Sequence, residues 1–119
     1  MRVVPVKEST MSALTLPDPI AAYFAADTQG SNAVARCFTP DGVVKDKGQT
    51  HSGRNVIKAW KDEVSTLYTC TTEPFSIERA GDVHAVYCHV AGNFPGSPID
   101  LKFSFRLERG LIATLEITL

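Results

Sequence analysis

Ile99-Asp100-Leu101-Lys102-Phe103-Ser104-Phe105-Arg106-Leu107-Glu108, followed by Arg109-Gly110 and Leu111-Ile112-Ala113-Thr114-Leu115-Glu116-Ile117-Thr118-Leu119, decides the fold class. The first run alternates apolar and polar side chains without a slip, the period of two with which a strand buries one face. Ile99, Leu101, Phe103, Phe105 and Leu107 take the covered face, and Asp100, Lys102, Ser104, Arg106 and Glu108 take the other. Leu111, Ala113, Leu115, Ile117 and Leu119 continue the pattern, so a last strand is expected to pair within the sheet.

Two more strand-like segments precede these, at roughly 70–80 and 83–94, with Gly81-Asp82 as the turn between them. Further upstream the period becomes helical. Leu16-Pro17-Asp18-Pro19 opens a helix, Asp18 as its cap and Pro19 at the first position, where a missing N–H costs nothing. This helix is expected to run to about Gln29 and stop at Gly30, with Ile20, Tyr23, Phe24 and Asp27 on one face. Ser31 can cap a second helix carrying Val34, Cys37 and Phe38, which Pro40-Asp41-Gly42 ends. Val43-Val44-Lys45-Asp46 then reads as a short strand, turned by Lys47-Gly48 into Gln49-Thr50-His51-Ser52. From Arg54 to about Tyr68 a third helix places Val56, Ile57, Trp60, Val64, Leu67 and Tyr68 on one broad face, with Lys58, Lys61 and Asp62 opposite. Three helices followed by four strands predict an α+β fold with a mainly antiparallel sheet.

The chain of 119 residues suits one domain, expected over 16–119 behind an N-terminal arm at 1–15, with Met11-Ser12-Ala13 reading as a natural chain start. Twelve basic and thirteen acidic residues, a net charge of −1, are spread along the chain and leave no footprint for nucleic acid. No apolar run approaches the roughly 20 residues of a membrane span. Charge also comes too early for a signal peptide. A cytoplasmic protein is the expectation. Cys37, Cys70 and Cys88 show no CxxC spacing and are odd in number, so reduced thiols are expected rather than disulfides.

The element order, with Cys37-Phe38-Thr39-Pro40-Asp41-Gly42-Val43-Val44-Lys45-Asp46 and Gly53-Arg54-Asn55-Val56-Ile57, resembles the nuclear transport factor 2-like superfamily, in particular its SnoaL-like branch. The resemblance covers most of the chain from about Asp18. It implies a cone in which a curved sheet wraps the helices around a small-molecule pocket, and a homodimer through the sheet. Members include ketosteroid isomerases, dehydratases, polyketide cyclases, epoxide hydrolases and non-catalytic binding proteins. The comparison with ketosteroid isomerase puts Asp46 at the general base and Tyr23 at an oxyanion-binding phenol. It puts Phe103 where the isomerase has a second, protonated Asp, a departure from its pattern.

Asp46 in a dry pocket would be a usable base near neutral pH; alternatively it shapes the Lys47-Gly48 turn. Tyr23 could donate to a developing oxyanion or sit in the core. Tyr87 and His89 alternate with Ala85 and Ala91, which reads as a pocket wall in which His89 acts as acid or base, with His84 on the opposite face. Phe24, Trp60, Phe103 and Phe105 would line an apolar pocket, and His51 could stand at its mouth. His84 and His89 point apart and His51 stands alone, so no metal or other cofactor is expected. Neither a Ser-His-Asp nor a Cys-His nucleophile nor a phosphate loop is present. The expected ligand is a small hydrophobic cyclic or carbonyl compound, processed by isomerase, cyclase or dehydratase-type proton transfer; the alternative is a non-catalytic ligand-binding or dimeric interaction module.

Overall fold

The computed structural model describes residues 14–119, so the expected chain start at Met11 and most of the N-terminal arm lie outside the described residues. Helices α1 (Asp18–Ala26) and α2 (Ser31–Arg36) lead into strands β1 (Phe38–Asp46) and β2 (Gln49–Ser52). Helix α3 (Arg54–Leu67) follows, and then β3 (Cys70–Ala80), β4 (Val83–Gly92), β5 (Ile99–Glu108) and β6 (Leu111–Thr118). The strands form one six-stranded sheet in the order β2-β1-β6-β5-β4-β3. All neighbours are antiparallel except β1 and β6, which run parallel and join the first strand of the sheet to the sixth. The fold is therefore α+β with a mixed sheet.

One face of the sheet carries the core. Val44 of β1, Val86 and Cys88 of β4, Phe105 of β5, and Ile112 and Leu115 of β6 are fully buried, against Ile20 of α1, Val34 of α2 and Ile57 of α3. Each such side chain removes enough apolar surface from water to be worth about 1.5–3 kcal/mol. The β5 alternation falls as expected, with Phe103 and Phe105 inward.

Four local expectations are corrected. Asp18 and Ser31 are not caps: Pro17 and Gly30 hold those positions, and the Pro17 carbonyl accepts from the N–H groups of Ile20 and Ala21. Phe38 is not helical but opens β1, and Thr39-Pro40-Asp41-Gly42 forms an irregularity in its pairing with β6. Gly42 is needed there, because a Cβ would stand 2.8 Å from that of Phe38. In β6 the uninterrupted alternation fails, since Phe38 pairs with Ile112 and Val43 with Thr114; the slip brings Ile112, in place of Leu111 and Ala113, onto the buried face.

The packed face of α3 is narrower than its apolar residues suggest. Val56 is 45% and Leu67 59% exposed, while Ile57 and Trp60 are buried and Val64 partly so. Lys61 falls inside this stripe, four residues after Ile57 and three before Val64, and not on the solvent face.

Candidate functional site

The β1 strand brings Asp46 to the inner face, two residues beyond buried Val44. The pairing register places Asp46, Ile117, Phe103, Val86 and Ile77 on one line across β1, β6, β5, β4 and β3. Two strand spacings, roughly 10 Å, separate Asp46 from Phe103. Asp46 Oδ2 accepts a hydrogen bond of 3.2 Å from the indole Nε1 of Trp60 on α3. This bond ties the end of β1 to the helix packed on it, so Asp46 is held by an indole and not by its own turn. His51, opposite Val44 in β2, brings its ring to 5.9 Å from that of Trp60.

Helix α1 contributes Tyr23, 2% exposed and surrounded by Phe24, Phe38, Phe103 and Phe105 with ring centroids 5.2 to 6.4 Å away. Burial first, and then the carboxylates of Asp27 and Asp46, hold its phenol well above the ordinary value of 10.0. Tyr23 therefore stays protonated across the physiological range and is a donor, not a base. One helical turn on, Asp27 pairs with Nζ of Lys61, whose side chain is 15% exposed. Lys61 also lies 5.8 Å from the centroid of the Trp60 ring.

Asp46, Tyr23, Trp60, His51, Phe24, Phe103 and Phe105 thus gather on the inner side of the sheet. Tyr87 and His89 do not. The inward residues of β4 are Val86, Cys88 and Val90, so Tyr87 and His89 face outward. There the Tyr87 hydroxyl donates to Glu78 Oε1 at 3.3 Å, and His89 Nδ1 lies 2.8 Å from Asp100 Oδ1. Reading Ala85 and Ala91 as pocket space chose the wrong face of β4, and His84 shares the inner one. Conversely, Lys61 and its partner Asp27 were not singled out for the site. The visible signal was Lys61's i+4 and i−3 spacing to Ile57 and Val64.

Among the described residues, no three His, Cys, Asp or Glu side chains gather closely enough to hold a metal ion. No helix among them is long and apolar enough to cross a membrane. A separate groove of about 410 Å³ lies between α1, α2 and the β5–β6 turn, with Ala22, Gln29, Arg36 and Leu111 in its wall. It is lined by none of the groups named above.

An α+β protein with a carboxylate, a buried phenol and an indole on the inner face of its sheet is the class that fold and site define. Comparison with solved structures makes this specific. A provisionally named polyketide cyclase from Sinorhizobium meliloti is 37% identical, over 92% of this chain and 99% of that one, with a TM-score of 0.83. A protein of ketosteroid isomerase-like fold from Catenulispora acidiphila, solved in complex with trimethylamine, is 25% identical over 88% and 87%, at 0.78. SalBIII, an epoxide hydrolase/cyclase-like enzyme of pyran ring formation in salinomycin, shares the fold at 20% identity over 84% and 86%, with a TM-score of 0.70. No family model and no curated protein matches the sequence. The chain belongs to the nuclear transport factor 2-like superfamily, among its SnoaL-like proteins.

Proposed function

We propose that this chain binds a small hydrophobic cyclic or carbonyl compound on the inner side of its sheet and moves a proton with Asp46 as base and Tyr23 as hydrogen-bond donor. The observation that carries this reading is the Asp46–Trp60 pair, which turns a carboxylate inward at the end of β1, near a phenol kept protonated by burial. A base and a neutral donor are what enolisation, cyclisation or dehydration next to a carbonyl requires. The 37% identical provisional polyketide cyclase supports the same chemistry. Phe24, Phe103 and Phe105 would then form the apolar wall, and His51 would stand beside Trp60 at the β2 edge. His89 has no part in this reading, being outward and paired with Asp100. A homodimer through the outer face belongs to it.

A thermal-shift screen of wild type, Asp46→Asn and Tyr23→Phe against cyclic ketones, phenols and lactones tests the proposal. Ligand at 100 times its Kd adds about 2.7 kcal/mol of stability. Hits that weaken in Tyr23→Phe and show turnover abolished in folded Asp46→Asn are expected. Turnover that persists in Asp46→Asn would remove the base from the mechanism.

A second reading, a non-catalytic binding module, is favoured by the packing of the interior. Tyr23, Phe103 and Phe105 are each no more than 5% exposed and pack edge to face or tilted on Phe24, so much of the interior is filled by the protein's own rings. Binding without turnover in the same screen would choose this reading.

A further inference from the structure

The proton-transfer reading leaves one half-buried charged group on the packed side unused. Lys61 sits on the packed side of α3, paired with Asp27 and lying over the Trp60 ring, while the N–H of that same indole holds Asp46. A partly buried ion pair of this kind, its side chains 15% and 18% exposed, is a weak source of net stability, because desolvation offsets much of the attraction. The placement has a clearer electrostatic consequence. Asp27 and Asp46 both act on Tyr23, so this region without Lys61 would contain two uncompensated carboxylates.

We propose that Lys61 is a positioning residue for Asp46: paired with Asp27, it cancels the second carboxylate and steadies the indole that holds the first. The proposal rests on the reading of Asp46 as the base of the site. Around Asp46 stand Trp60 of α3, whose indole N–H it accepts, His51 of β2, 5.9 Å from that indole ring, and Tyr23 of α1, whose phenol feels both Asp27 and Asp46. Strands β5 and β6 present Phe103 and Ile117.

Trp60 is the sole tryptophan of the chain, so the emission of the ligand-free protein reports on this site alone. Its emission would be titrated downward from mildly alkaline pH in a His51→Gln background, which removes the neighbouring imidazole. The acid transition is expected to disappear in Asp46→Asn. In Lys61→Met its midpoint should rise, because a positive charge is lost and the charge on Asp27 is unmasked. In Asp27→Asn it should fall, because Lys61 is left unpaired. Lys61→Arg, which keeps the charge, should restore the wild-type midpoint. A purely structural clamp would lower the melting temperature of Lys61→Met and Asp27→Asn without separating their midpoints, and that result overturns the proposal. If Lys61→Met does not fold, Lys61→Gln takes its place, and a midpoint that does not move in it overturns the proposal. Because no ligand is used, a failure here is distinct from a failure of the base reading, which the turnover of Asp46→Asn decides.

Discussion

Cys88 and Tyr23 place two weak acids inside the core, and both are held protonated by it. Burial, with a smaller push from Asp27, raises the Cys88 thiol from 9.0 to about 12. A group whose value is raised on folding favours the folded chain fully below its unfolded value and loses that contribution as pH climbs through the folded one. Stability should accordingly fall from about pH 9 upward, with Tyr23 adding the same sign above 10.0. Melting temperatures measured through this range in wild type, Cys88→Ala and Tyr23→Phe check it: each substitution should flatten the alkaline fall. An equally steep fall in both variants would assign it to other groups. At this scale the sequence put Asp46 and Tyr23 on the inner side because each ends or repeats a regular pattern. It misassigned His89 because small neighbours say nothing about which face of a strand is covered. Lys61 stayed hidden because a lysine on an amphipathic helix usually lies in water, and only its partner Asp27, on another helix, explains its burial.

The elements were more legible than their junctions. The alternation of β5 survives intact in the structure, since a strand between two neighbours has its period set by its own residues. The phase of β6 depends instead on a bulge at Ala113, where Arg106 pairs with Thr114 and Leu107 with Ile112 and β1 shifts register on the other side, so the alternation of β6 alone could not reveal it. Another junction lies at the end of β4. The Gly92 N–H donates to Ser97 Oγ at 2.8 Å, and the neighbouring Asn93 Oδ1 accepts from the N–H of Thr69 in the connection out of α3. A Cβ on Gly92 would run into the Thr69 carbonyl oxygen. Gly92→Ala is therefore expected to cost about 1–3 kcal/mol, measured by chemical denaturation. No loss of stability would mean that this connection moves aside freely.

Across the whole molecule, the outer face of the sheet differs from the inner one in kind. Its central row runs Glu78, Ala85, Ser104, Glu116 and Lys45, flanked by charged pairs such as His89 with Asp100 and Arg106 with Asp82. The two small side chains of that row, Ala85 and Ser104, would let another sheet approach at its middle, as the homodimer proposed above requires. Sedimentation velocity should give twice the chain mass for wild type and a monomer for Ser104→Arg, a substitution that projects a long charge from the middle of this face. A wild-type monomer would remove the dimer from the proposal. The placement of β6 has a different consequence, for the way a cell makes this chain. Because β6 lies between β1 and β5 and follows both in the chain, the sheet can become continuous only after β6 has left the ribosome. Until then β2–β1 and β5–β4–β3 are two half-sheets, each with a bare edge and an uncovered apolar face. The growing chain is most exposed to misassembly in the interval before β6 emerges, when a chaperone that shields strand edges has most to protect.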